Sequence, residues 1–144
     1  MAGDGDVADE PDLGALLARL LPRLAALEAP ILQAEGLSMW EYAIVTELAS
    51  GDAVSQVELS ARTRRDPTRL GRHLDDLAAR SIVVRERSAD GRQRTVRLTK
   101  QGRAAYSRVK QAIRQIEDDL LTASLSAADA RRLRQILARL VALD

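Results

Sequence analysis

Apolar residues at Leu13, Leu16, Leu17, Leu20, Leu24, Leu27 and Ile31 recur every three or four positions, the spacing of one face of an α-helix. Pro22 inside this run should kink or split the helix, because proline lacks an N–H and its ring crowds the carbonyl four residues back. Pro30 and Gly36 mark a frayed end, and the acidic, Gly- and Pro-containing residues 1–11 before the run read as disordered. Capping chemistry signals three further helices. "SMWE" (Ser38 to Glu41) and "SQVE" (Ser55 to Glu58) are capping boxes, with serine at the cap and glutamate three residues on. Asp66 is an N-cap followed by Pro67 in the first helical turn. These predict helices at about 38–50, 55–62 and 67–80, the last two separated by the short turn of a helix-turn-helix.

The period then changes from helical to alternating. Ile82 to Arg87 and Arg92 to Leu98 are short and β-branched, with Asp90-Gly91 between them. Both turn residues tolerate positive φ, so the segment predicts a hairpin. Thr99 caps a helix over about 100–122, with Ala105, Val109, Ala112, Ile113, Ile116 and Leu120 on one face. A last helix follows Ser126, carrying Leu133, Ile136, Leu137, Leu140 and Leu143. Helix, helix, turn, helix and hairpin in that order make a winged helix-turn-helix. The fold class is mainly α with a small β-hairpin wing, flanked by terminal helices.

Within the third capped helix, Leu70, Leu74 and Leu77 fall within about 60° of one another at 100° per residue and form a core face. Thr68 and Arg72 project opposite, with Arg69 slightly to the side. Arginine can bridge O6 and N7 of guanine with two hydrogen bonds, and threonine can touch a thymine methyl. Those are the roles expected of Arg69 or Arg72 and of Thr68. His73, the single histidine, sits at the flank as a packing or phosphate-contacting residue. Ser55 and Gln56 at a helix N-terminus, and Arg64 and Arg65 in the turn, are candidate phosphate contacts. On the hairpin, Arg87, Arg92 and Arg94 are candidates for holding DNA.

Charge sharpens this picture. The net charge is +1, yet residues 62–110 carry 15 Lys/Arg against 5 Asp/Glu, and the rest of the chain is acidic. Such segregation points to a polyanionic partner, with nucleic acid first. Only three residues are aromatic, which disfavours single strands and RNA, where bases stack on aromatic rings. The absence of cysteine excludes disulfides, thiolate metal sites and thiol redox sensing. With one histidine and no thiol, neither a nucleophile–base pair nor a metal cluster can be assembled, so neither an enzyme nor a cofactor is expected. No apolar run is long enough to span a membrane and no signal peptide is recognised, so a cytoplasmic location is expected. The rival reading is a winged-helix interaction module whose basic block meets an acidic protein. A steep salt dependence of duplex binding separates the two.

"DGRQRTVRLT" (Asp90 to Thr99) matches the D-x-R-x-x-x-x-x-L-T wing motif of the multiple antibiotic resistance regulator (MarR) family, with Asp90, Arg92, Leu98 and Thr99 at the motif positions. "TRLGRHLDDLAARSIVVR" (Thr68 to Arg85) also resembles that family's recognition helix and first wing strand, and the likeness covers roughly residues 13–143. The chain departs from the pattern at Ser81, where the family usually has glycine, at His73, where it often has arginine, and at Pro22. The resemblance implies a bacterial homodimeric transcription factor on a palindromic operator, most simply a repressor released by a small aromatic or anionic ligand. It implies a DNA-binding domain over residues 37–99 and dimerisation helices at 12–36 and 100–144. It also implies that Arg92 enters a minor groove and that Asp90 stabilises the wing by pairing with an arginine, Arg94 or Arg72. A ligand pocket is implied between the two parts. Trp40 and Tyr42 are candidates to line it, with core packing against the first helix as their competing role.

Overall fold

The computed structural model describes residues 9–142. In chain order they form α1 (Leu13–Ala34), α2 (Met39–Leu48), β1 (Val54–Ser55), α3 (Gln56–Thr63), α4 (Pro67–Ala79), β2 (Val83–Arg87), β3 (Arg94–Leu98), α5 (Lys100–Thr122) and α6 (Ala127–Val141). Most of the segment expected to be disordered, residues 1–11, lies outside the described residues, as does Leu143.

The long helix α1 corrects one expectation. It runs unbroken through Pro22 and Pro30 to Ala34, neither split nor frayed at Pro30. Each proline frees the carbonyl four residues earlier, at Ala18 and Ala26. Both alanines are exposed, so water can take the freed carbonyls and the helix continues. α1 ends when the Leu37 N–H reaches back to the Leu32 carbonyl (2.9 Å) and Gly36 turns left-handed at φ +68°.

The caps of the next helices follow the sequence closely. Ser38 and Glu41 form both bonds of a capping box at α2. At α3 only half of the expected box forms. The Ser55 hydroxyl accepts from the Glu58 N–H, but the Glu58 carboxylate turns to Arg62 instead. Ser55 already pairs with Thr95 across the sheet. That pairing reveals an element missed in the sequence. β1 adds a third strand, so the sheet is antiparallel in the order β1-β3-β2 rather than a lone hairpin.

One core holds the lobe together. Leu59 from α3, Leu70, Leu74 and Leu77 from α4, and Ile44, Val45 and Leu48 from α2 pack with Val54, Val83, Val96 and Leu98 of the sheet. Leu32 from α1 and Val109 and Ile113 from α5 close it. Burying each such side chain contributes about 1.5–3 kcal/mol. The sheet and the caps therefore fix α4 on the core by its leucines and leave its opposite face in solvent. Among the described residues α6 packs chiefly along α5 and adds Ala130 as its buried residue.

Candidate nucleic-acid interface

α4 is built to project its N-terminus. The Asp66 carboxylate accepts from the N–H groups of Thr68 and Arg69, each at 3.1 Å, and Pro67 opens the first turn. With the three leucines buried, Thr68, Arg69 and Arg72 are all exposed. Arg69 lies 3.4 Å from Asp66, a loose contact that leaves its guanidinium largely in solvent. Further along, Asp75 is held by Arg85 of β2. The acid that would repel a phosphate is thereby neutralised within the molecule.

The turn before α4 is closed by a left-handed residue, Arg64 (φ +52°), while the Arg65 N–H bonds the Ser60 carbonyl at 3.2 Å. Arg64 is exposed with no carboxylate partner among the described residues. Arg65 is placed differently. Its guanidinium lies over the Trp40 ring, 3.9 Å from the centroid, and meets His73 Nε2 at 3.2 Å. Arg65 Nε is buried without a partner. Trp40, Arg65 and His73 thus form a stack joining α2, the turn and α4. The Arg65 guanidinium is turned to Trp40 and His73. Gln56, at the start of α3, is half-buried, and its Oε1 is buried without a hydrogen-bond partner.

In the wing, β2 and β3 are in register from Val83 opposite Leu98 to Arg87 opposite Arg94. The turn corrects the sequence reading. Gly91 alone has positive φ (+72°), and the connection is a longer loop closed by Ser88 N–H to Gln93 O at 2.7 Å. Asp90 bonds within this loop and, among the described residues, pairs with neither Arg94 nor Arg72. Its carboxylate accepts from the Ser88 hydroxyl and from the Arg92 N–H at 3.1 Å, which holds its pKa below the usual aspartate value. A short side chain reaching its own backbone two residues on is the simpler route to a tight loop. Arg85 and Arg97 are engaged by Asp75 and Glu86. Arg87, Arg92 and Arg94 have no carboxylate partner among the described residues and are all exposed. Arg87 and Arg94 stand directly opposite across the strands, flanking a cleft of about 310 Å³. Like charges so placed repel, and an anion between them relieves the repulsion.

Trp40 and Tyr42 have different surroundings. Trp40 is 46% exposed beneath Arg65, so it is not a core residue either. Tyr42 turns the other way and stacks on Tyr106, centroids 6.1 Å apart, against the core. Burial and the neighbouring Tyr106 push the Tyr42 phenol pKa up. Nearby, burial and then Glu117 raise the pKa of Glu28. Two grooves line α1. One, of about 420 Å³, runs between α1 and α5 past Pro30, Ile31, Ala34, Val109 and Ala112, with Arg108 and Glu35 at its rim. Arg108 holds Glu35 by two bonds, at 2.7 and 3.1 Å, and lowers the Glu35 pKa. The other, of about 440 Å³, is lined by Leu21, Pro22, Leu24, Ala25, Glu28 and Met39. No helix among the described residues is long and apolar enough to cross a membrane.

Comparison with known proteins places this geometry. The family model for the winged helix DNA-binding domain matches residues 41–116. The chain is 33% identical over 106 residues to the HTH-type transcriptional regulator YdgJ of Bacillus subtilis (strain 168), a match covering 73% of this chain and 64% of that protein's length. A MarR family protein of Mycobacterium tuberculosis, solved in complex with salicylic acid, superposes with TM-score 0.73 at 28% identity, over 92% of this chain and 98% of its own. The fold is also that of the repressor CouR, solved on a 23-mer DNA duplex, at TM-score 0.77 and 23% identity over 98% and 99% of the two chains.

Proposed function

Given that the chain belongs to the winged helix DNA-binding domain family, and within it to the MarR family of transcriptional regulators, we propose that it binds double-stranded DNA sequence-specifically, as a homodimer on a palindromic operator. The observation that carries this reading is the distribution of free arginines. Arg64 and Arg72 on the helix-turn-helix and Arg87, Arg92 and Arg94 on the wing lack carboxylate partners among the described residues, and Arg69 is only loosely held. Of the other described arginines, Arg80, Arg108 and Arg134 are tied to carboxylates, whereas Arg19 and Arg23 on α1 and Arg131, Arg132 and Arg139 on α6 also lack one. What supports the reading is that the free guanidinium groups of the helix-turn-helix and the wing fall on adjoining elements, α4, the turn before it and the β2–β3 wing, with acids nearby such as Asp75 and Glu86 already paired.

In this reading Arg69, Arg72 and Thr68 enter the major groove and contact base edges. Ser55, the Gln56 N–H and Arg64 meet phosphates. Arg87 and Arg94 clamp a phosphate, and Arg92 at the wing tip reaches a minor groove, where narrow A·T-rich sequence concentrates negative potential. Dimerisation is supported by the apolar side chains that α1 and α6 leave in solvent, among them Leu13, Leu16, Ile136 and Leu140. The protein acts as a repressor released by a small aromatic or anionic ligand, of the kind that the salicylic acid complex of the M. tuberculosis relative exemplifies. The groove at Arg108 suits such a ligand. Its apolar walls fit a ring, its volume is in the usual range for small-molecule sites, and a carboxylate can displace Glu35 from Arg108.

The test is titration of cognate, random and flank-swapped duplexes over a range of salt. Arg72→Ala or Arg69→Ala should cost about 1–3 kcal/mol at the cognate site and relax preference at one base pair. Arg87→Ala and Arg94→Ala should weaken all duplexes alike and reduce the salt slope by about one counterion for each phosphate no longer neutralised. Arg92→Ala should hurt A·T-rich flanks most. Wild-type protein that binds no duplex at low salt would favour the interaction-module reading instead.

A further inference from the structure

Arg80 lies at the C-cap of α4, at the far end from the exposed Thr68 and Arg69. Its guanidinium is spent inside the molecule. One terminal nitrogen bonds the Glu41 carboxylate, the other donates to the Gly36 carbonyl at 2.5 Å, and Nε leans on the Asp76 carbonyl at 3.4 Å. Glu41 is only 8% exposed and is the one buried charged residue of the described chain. Its second oxygen accepts from the Ser38 N–H at 2.9 Å, completing the α2 cap. Gly36 in turn is the left-handed residue that ends α1. One arginine thus joins the end of α4 to the end of α1 and the start of α2.

We infer that Arg80 is a positioning residue that sets the angle of the recognition helix relative to the α1 arm, and through it the half-site spacing the protein accepts. This rests on the DNA-binding reading above. The lever is long. α4 has 13 residues, so it spans roughly 20 Å, and a tilt of about 10° at its C-terminus moves its N-terminus by about 3 Å, close to one base-pair step. The leucine face resists sliding of α4 off the core, but ridges packed in grooves tolerate some change of angle. A charge-assisted pair held by a buried carboxylate is directional and removes that freedom. The α1 arm is the element that carries the exposed leucines of the proposed dimer contact, so the angle of α4 to α1 becomes the separation of two recognition helices.

The experiment uses the full chain and a duplex selected by the wild type from a random-sequence pool. Affinities are measured for that duplex and for versions with the central spacer lengthened or shortened by one base pair. Wild type should penalise either spacer change by about tenfold or more, because one base pair rotates a half-site by about 35° around the helix axis. Arg80→Gln should bind the selected duplex less tightly and discriminate the spacers by less than about threefold, with the salt slope unchanged. Glu41→Gln keeps an oxygen for the Ser38 N–H while removing the charge that holds Arg80. It should behave like Arg80→Gln, and it answers the question if Arg80→Gln fails to fold. Arg80→Lys, which keeps the charge but loses the second bond, should fall between. Wild-type spacer discrimination in folded Arg80→Gln or Glu41→Gln overturns the inference. So does a reduced salt slope in Arg80→Gln, which would make Arg80 a phosphate contact. A wild type that selects no duplex overturns the DNA-binding reading itself.

Discussion

A side chain with a Cβ in the left-handed region costs about 1 kcal/mol relative to glycine, and this chain accepts that cost at Arg64 (φ +52°) and Ser81 (φ +60°). The two positions separate stability from function. Ser81 ends α4, where the Ile82 N–H bonds the Leu77 carbonyl at 2.9 Å and the Ser81 N–H bonds the Ala78 carbonyl at 3.0 Å. This is the turn that glycine serves best. Its hydroxyl makes no hydrogen bond there, and the bond from Thr99 goes to its carbonyl. Ser81→Gly should therefore raise stability by about 0.5–1 kcal/mol in urea unfolding, less than the full strain because glycine also loosens the unfolded chain, and leave DNA affinity unchanged. Arg64→Gly should raise stability similarly but remove a phosphate partner. Its salt slope on random duplex should fall by about one. An Arg64→Gly protein that is more stable and binds with an unchanged slope would show that strain is kept at Arg64 for no purpose on DNA.

At the scale of elements, α5 meets the turn after α4 through Gly102. A Cβ built there would lie 2.0 Å from the Ile82 carbonyl oxygen, which is backbone and cannot swing aside. Gly102→Ala should cost about 3 kcal/mol or more, read as a lower urea midpoint, because α5 must lift from the sheet. Between α1 and α5, Glu28 titrates against burial and Glu117, and its pKa in the folded protein is raised. The native state then binds the proton more readily than the unfolded chain. The contribution from Glu28 is therefore full below the ordinary glutamate value and is lost as pH rises through the raised one. Glu28→Gln should flatten the fall in melting temperature over that weakly acidic window and leave the protein more stable at neutral pH. An unchanged profile would assign the slope to other groups. Elements specified by their own residues were legible in the sequence: the Ser38 and Asp66 caps, the leucine face of α4, the two wing strands and the free wing arginines. β1 was not, because two residues carry no period of their own and become a strand only beside β3. Nor was the continuity of α1, which depends on water reaching carbonyls whose exposure is a tertiary property. The Trp40–Arg65–His73 stack and the Arg80–Glu41 pair join residues distant in sequence, and nothing local marks them.

Across the whole molecule, charge and apolar surface are segregated to different places. The basic block is the helix-turn-helix and wing, whereas most exposed leucines and the exposed isoleucine lie on α1 and α6, with Leu125 just before α6 and Val57 on α3 as exceptions. Leu140 and Ile136 are 52% and 45% exposed on a helix that, among the described residues, packs chiefly along α5. Leu140→Arg and Ile136→Glu should give monomers by sedimentation at micromolar concentration. With the winged lobe intact, they should retain nonspecific duplex binding but lose tight binding to a two-half-site duplex. Dimers of unchanged stability in both variants would move the interface elsewhere. Besides the shared core, the lobe meets α5 at one backbone junction. The Ile82 carbonyl accepts the Thr99 N–H at 3.0 Å and lies against Gly102, while the Ser81 carbonyl accepts the Thr99 hydroxyl. The end of the recognition helix, the last wing strand and the first turn of α5 converge on two consecutive peptide groups. A new specificity therefore cannot be transplanted by exchanging the exposed residues of α4 together with its flanking turns from another regulator. The exchangeable cassette runs from Asp66 through Gly102, and a chimera cut inside it inherits a helix aimed by one parent and a hinge shaped by the other.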